Sequence, residues 1–341
     1  MLSTLRRKAG SASLNAALTG LALGMRARPK NRPERRGIDF TPDIAFGGAG
    51  APPQRLDVYR PQLARRAEGP LPVVLYIHGG GFRMLSKDTH WYFGQRFARA
   101  GYLTFVIDYR LAPRHPFPAG VRDAQAAYKW VVENAAAWGG DASRIIVAGE
   151  SAGANLATGV ALASCARLRE PSEDAWADEV FALAQPPAAV IALCGFLQLS
   201  QLERHAWRRL PDGTRRARNV STFASDRLRE IVESYWSPDA LEAPRALAEP
   251  LLFLEGALPG QASPPRFERP LPPFFISCGE KDPVLTDSVD LDAALRALGV
   301  DVELRTYEGE LHAFQALPWR PHERASWEHL FAFLDARRSA P

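Results

Sequence analysis

The chain is short of sulfur. Its 341 residues include three methionines and three cysteines, Cys165, Cys194 and Cys278. The cysteines are odd in number and form no C-x-x-C pair, which argues against a disulfide framework. Two of them lie inside apolar runs, so burial as small hydrophobes in a reducing compartment is the expectation. Lysine is scarce too, at positions 8, 30, 87, 129 and 281, so the net charge of +4 is an arginine excess. Acids and bases alternate along most of the chain, and clear basic excess is confined to residues 26–36 and 204–218. That pattern argues against a phosphate-binding track, and no nucleic-acid partner is expected. No apolar run approaches the roughly 18 residues of a spanning helix, and no repeat of fixed period is present. Stable membrane insertion is therefore not expected.

The N-terminus has the outline of a secretory signal, with Arg6, Arg7 and Lys8 ahead of a mildly apolar stretch. Asn15, Thr19, Gly20 and Gly24 dilute that stretch, whereas Leu14, Leu18, Leu21 and Met25 fall at helical spacing. The expectation is an amphipathic helix packed on the domain of a cytoplasmic protein. Export or membrane association through residues 1–30 is the alternative.

Strand-length apolar runs recur at 73–77, 103–107, 144–148, 188–193, 274–278 and 302–307. Helical-period segments separate them, at 89–100, 119–138, 152–168, 288–298 and 322–337. Such alternation predicts a mostly parallel sheet with helices on both faces, and residues 43–46 and 55–59 read as antiparallel edge strands. Residues 196–270 break the rhythm with helical pieces and proline-rich loops, which reads as an insertion on the rim of the sheet.

Two glycine-rich stretches stand at strand ends. In "IIVAGESAGANLATGV", Gly149, Ser151 and Gly153 form G-x-S-x-G between a buried strand and a helix. A turn that sharp pushes its apex residue out at the carboxyl edge of the sheet, and the flanking glycines remove side chains that would clash. Ser151 is thus a candidate nucleophile, the bland alternative being a helix-capping serine. A serine needs a base, an acid to orient that base, and donors for the oxyanion. His312 in "EGELHAF" and Asp282 in "SCGEKDPVLTD" each follow a later strand, in the chain order serine, aspartate, histidine. Asp287 is the rival acid, which N-capping of a helix near Ser288 explains adequately. The second stretch, "HGGGF" at 78–82, supplies bare backbone at the same edge. The N–H groups of Gly79, Gly80 and Gly81, with that of Ala152, are the expected oxyanion donors. His78 reads as a loop-fixing residue.

These blocks, with "DYRLAPRHPFPAGVRDA" at 108–124, resemble the hormone-sensitive lipase-like branch of the α/β-hydrolases, which includes microbial carboxylesterases. The resemblance covers residues 38–195 and 271–338. It implies a mostly parallel eight-stranded sheet flanked by helices, with Ser151 as nucleophile, Asp282 as acid, His312 as base, and Gly80, Gly81 and Ala152 as oxyanion donors supported by Gly79. It implies no metal and no organic cofactor, and an internal partner for Arg110. It also implies a cap built from an N-terminal arm, 1–37, and an insertion, 196–270, over a core of 38–195 and 271–341. Two positions depart from the commonest pattern: Glu150 where aspartate is frequent, and Ala313 where glycine follows the histidine.

The implied activity is a serine carboxylesterase acting on short- to medium-chain esters, small molecules, through an acyl-enzyme. Lipase, amidase or formamidase, and natural-product deacetylase are alternatives on the same site, and a non-catalytic small-molecule receptor is an alternative of another class. A homodimer is compatible with all of them. Phe82, Glu150, Phe196, Trp207, Phe223 and Trp236 are the expected substrate-binding residues, joined by Leu197, Leu199, Tyr235 and Phe253 as apolar cap residues. Activity should rise with pH through an apparent pKa near 7, because His312 must be neutral to act.

Overall fold

A computed structural model describes residues 2–47, 54–62, 69–168, 175–209, 214–236 and 244–338, with side chains from residue 13 onward. Eight strands form one sheet: β1 (Ile38–Ala45), β2 (Arg55–Pro61), β3 (Leu71–Ile77), β4 (Leu103–Ile107), β5 (Gly140–Glu150), β6 (Ala189–Leu193), then β9 (Phe274–Gly279) and β10 (Val302–Tyr307). The short strands β7 (Trp207–Arg209) and β8 (Arg215–Ala217) make a separate antiparallel pair. Sheet order is β1-β2-β4-β3-β5-β6-β9-β10. β2 runs antiparallel to β1 and β4, and the remaining pairings are parallel.

Parallel strands covered on both faces should be apolar at every position rather than at alternate ones. β3, β4, β6 and β9 are indeed buried throughout. Successive residues of β3 then serve different layers. Val73, Leu75 and Ile77 join a core with α3 (Ala119–Asn134), α4 (Ala152–Cys165) and α9 (Leu285–Ala297). Val74 and Tyr76 join one with Phe93 and Phe97 of α2 (Trp91–Arg99) and Trp327 of α10 (Glu323–Arg338). Because β3, β5, β9 and β10 are parallel, the loops carrying HGGG, Ser151, Asp282 and His312 all leave from one edge of the sheet.

Further segments pack around this frame. α1 (Leu2–Arg26) lies against α6 (Thr222–Tyr235), and the Trp91 indole donates to the Ala22 carbonyl at 3.0 Å. The short helices α5 (Glu179–Ala182), α7 (Arg245–Ala248) and α8 (Pro250–Glu255) pack beside α4, α4 and α9 respectively. Arg110 meets Asp123 through Nε and Nη2 at 2.8–3.0 Å, fixing the loop after β4. All three cysteines are free and buried.

Candidate active site

β5 ends at Glu150 and α4 starts at Ala152, which leaves Ser151 alone between them at φ 54°, ψ −117°. A side-chain-bearing residue persists there only when its surroundings over-determine it. Its N–H donates to Leu193 O at 2.8 Å, and its carbonyl accepts from Ala154 at 3.1 Å and Phe196 at 3.2 Å. Both glycines of the motif are required by the packing. A Cβ on Gly149 would lie 2.2 Å from the Gly153 oxygen, and one on Gly153 would lie 2.1 Å from the Ile77 oxygen. Although Ser151 occupies the N-cap position of α4, its side chain caps no N–H. The hydroxyl instead borders a cavity of about 680 Å³ that His312 also lines.

Asp282 is fully buried after β9, with Oδ1 accepting from Val284 N at 2.9 Å and its carbonyl accepting from Arg218 at 2.6 Å. Its Oδ2 lies 2.8 Å from Nδ1 of His312. Burial works against a charged imidazole, but the Asp282 carboxylate outweighs it, and the His312 pKa is raised well above the ordinary value. Cys194 packs on the pair, its Sγ within 4.8 Å of ligand-type atoms of both. Burial pushes its thiol up, so it remains a neutral neighbour. Ala313 adopts φ 56°, ψ 29°, the left-handed region, which is the physical reason glycine suits this position.

The rival acid has another task. Helix α9 begins at Leu285 with Val284 as its N-cap, so the expectation that Asp287 caps it is corrected. Asp287 is fully buried and accepts from Leu197 N at 2.8 Å and Gln198 Nε2 at 3.5 Å, tying the loop after β6 to α9. Burial raises its pKa to about 8.

Gly80 and Gly81 line the same cavity as Ser151, at φ 111° and 59°. The Gly80 carbonyl turns back to accept from Arg83 and Met84, both at 3.1 Å, while the N–H groups of Gly80 and Gly81 meet no acceptor among the described residues. Ala152 is the first residue of α4, where an N–H has no intrahelical partner. A Cβ on Gly79 would fall 2.9 Å from the backbone oxygen of Glu150, closer than real Cβ atoms approach. His78 is buried beneath the loop, its Nδ1 2.6 Å from Gly79 O and its ring stacked on Tyr109 at 4.4 Å. Burial lowers its pKa to about 3, so it is neutral.

Of the six expected substrate-binding residues, Glu150 borders the cavity, 4% exposed and 3.6 Å from Nε2 of His90. The other five lie away from it. Phe82 is fully buried and stacks on Tyr235 at 3.8 Å, fastening the HGGG loop to the end of α6. Phe196 is buried under the elbow, its backbone bonded to Ser151 and Asn155. Trp236 packs beneath the Arg245 guanidinium, and Trp207 is 45% exposed, its carbonyl holding the Thr286 hydroxyl. Phe223 is 62% exposed with Arg227 over its ring. Apolarity alone could not separate core from pocket in this segment. The insertion instead contributes Arg227 and Ile231 of α6, and α1 contributes Leu14, Leu18, Leu21 and Met25 at the spacing read from the sequence. His90, just ahead of α2 in "SKDTH", and Arg83 were not anticipated.

Known proteins resemble this chain in sequence and fold. Residues 74–316 match the α/β-hydrolase fold family. The chain is 32% identical to carboxylesterase NlhH of Mycobacterium tuberculosis over 293 residues, 85% of this chain and 79% of that one. It superposes on the esterase LipW of Mycobacterium marinum with a TM-score of 0.72 at 25% identity, covering 97% of this chain and 90% of the other. A hormone-sensitive lipase from a metagenome library gives 0.67 at 25% identity, over 96% and 92%. Fold, site and likeness together make this chain a member of the hormone-sensitive lipase-like branch of the α/β-hydrolase family.

Proposed function

We propose that Ser151, Asp282 and His312 are the nucleophile, acid and base of a carboxylesterase. Its oxyanion is held by the N–H groups of Gly80, Gly81 and Ala152. The observation that carries the reading is a serine on a strained elbow, its side chain capping no helix N–H, that shares one cavity with a histidine whose far nitrogen lies 2.8 Å from a buried aspartate. Nε2 of His312 takes the Ser151 proton as Oγ bonds to the ester carbonyl carbon. Negative charge gathers on the carbonyl oxygen, where one well-placed donor is worth about 3–4 kcal/mol. Collapse breaks the bond to the alkoxy oxygen, which leaves as alcohol with the proton from His312. Water then gives a proton to His312, attacks the acyl carbon, and Ser151 is released with the carboxylic acid.

Residues 1–37 and 196–270 serve as the cap in this reading, because α1 and α6 supply the cavity walls opposite the sheet edge. Short- to medium-chain acyl groups suit a cavity of about 680 Å³ walled by leucines, each buried methylene contributing about 0.8 kcal/mol until the wall is met. With p-nitrophenyl esters, kcat/KM should climb from acetate to an optimum between about four and eight carbons and then fall. A rate still rising at sixteen carbons identifies a lipase, and no ester turnover at any length favours amide or formamide substrates.

A further inference from the structure

Residues 1–36 hold nine basic side chains and one acidic, a net +8 in a chain whose total is +4, so the other 305 residues carry −4. Apart from the exposed Arg216, the second basic stretch is absorbed internally: Arg204 pairs with Glu255 and Asp290, Arg209 and Arg215 with Asp290, Arg208 with Glu280, and Arg218 donates to the Asp282 carbonyl. The first is not. Arg28, Lys30, Arg32 and Arg35 are exposed and meet no acidic partner among the described residues. They follow directly on α1, whose Leu14, Leu18 and Leu21 are 37%, 39% and 46% exposed along one stripe at the cavity mouth. The basic turn is itself firmly held: Asn31 Nδ2 donates to Met25 O and Gln95 Nε2 to Asn31 O, both at 2.8 Å.

An exposed leucine stripe continuous with unpaired cations is poorly matched to water and well matched to an interface that is apolar below and anionic above. No described helix is long and apolar enough to cross a membrane, which leaves the surface of the bilayer as the place such a helix would lie. We propose that α1 and the basic turn after it form a reversible docking face for an anionic phospholipid bilayer, turning the cavity mouth toward esters dissolved in the lipid. Charge complementarity selects this occupant, since +8 on one short segment attracts anionic headgroups while the −4 of the remainder keeps the rest of the surface away.

The test uses the full chain as Ser151→Ala, so that lipid is not consumed and binding is read independently of ester hydrolysis. Co-sedimentation with phosphatidylcholine vesicles containing about 30% phosphatidylglycerol should be at least about tenfold tighter than with phosphatidylcholine alone, and should weaken as salt rises from about 0.1 to 0.5 M. Combined Arg28→Glu, Lys30→Glu, Arg32→Glu and Arg35→Glu should lose that binding. On the active background the same changes should leave hydrolysis of soluble p-nitrophenyl butyrate at the parent rate. Leu18→Asp, with its helix content unchanged, should bind more weakly as well. Equal affinity for both vesicles, no affinity for either at low salt, or full binding by the charge-reversed variant would overturn the proposal. So would a dimer that Leu18→Asp dissociates without any vesicle binding, which would assign the leucine face to a second copy.

Discussion

Asp282→Asn probes the hydrogen-bond geometry of the site with one atom changed. Oδ1 of Asp282 accepts from Val284 N at 2.9 Å and Oδ2 faces Nδ1 of His312 at 2.8 Å. An asparagine keeps its oxygen on Val284, so its NH₂ points at Nδ1. That nitrogen must then accept, and the ring proton moves to Nε2, the nitrogen that has to receive the Ser151 proton. The variant holds the base in the wrong tautomer and withdraws the carboxylate that supports its charge. Loss of about 10⁴ in kcat/KM is expected, equivalent to about 5.5 kcal/mol of transition-state stabilisation. The side chain is fully buried and the replacement isosteric, so urea unfolding should show a folded protein. Hydrolysis of p-nitrophenyl butyrate by purified protein is the assay. Activity within tenfold of the parent would refute the tautomer argument and reopen the choice of acid.

Other consequences are equally direct. Because the His312 pKa is raised well above its ordinary value, kcat/KM should rise with pH through an apparent pKa on the alkaline side of 7, higher than the sequence alone implies, and an acidic midpoint would contradict the ion pair. The pair's contribution to stability is present below about 6.5 and is lost as pH rises through the folded-state pKa. Asp287→Asn should leave kcat nearly intact. Since Asp287 holds its proton to about pH 8 while the unfolded chain releases it near 4, parent stability should fall relative to the variant across that window, by at most about 1.4 kcal/mol per pH unit. A pH-independent difference in denaturant midpoints would count against it. Ala313→Gly relieves a left-handed alanine at φ 56° and should add about 0.5–1 kcal/mol in urea unfolding. Gly153→Ala drives a Cβ to 2.1 Å from a backbone oxygen and should cost more than about 3 kcal/mol; a normally stable variant would show that the elbow is less tight than described.

The sheet was legible because its strands are buried on both faces: a run such as "PVVLYI" has few other ways to be satisfied, and Gly149 and Gly153 of "GESAG" and Gly80 of "HGGGF" are demanded by backbone oxygens that a Cβ would meet at 2.0–2.2 Å. The pairing of His312 with Asp282 followed from chain order and strand ends. Pocket identity did not follow. Phe82, Phe196 and Trp236 are as apolar as any wall residue, and what removes them from the cavity is long-range packing against Tyr235, the elbow backbone and Arg245. Asp287 carried a helix-cap signal that its bond to Leu197, 90 residues earlier, overrides. His90 reaches the site from the start of α2 with no motif beyond a position after "SKDT" to announce it. The helical spacing of Leu14, Leu18 and Leu21 was visible, but which surface it met was not.

The nucleophilic role of Ser151 is tested most directly by covalent capture. Exposed to a fluorophosphonate, the protein should lose ester hydrolysis in step with the addition of one phosphonyl group, and peptide mass spectrometry should place that group on Ser151. The Ser151→Ala protein should take up none and should retain no more than about 10⁻⁴ of parental activity. A protein that hydrolyses esters while Ser151 stays unlabelled, or an alanine variant with a tenth of the parental rate, would contradict the account.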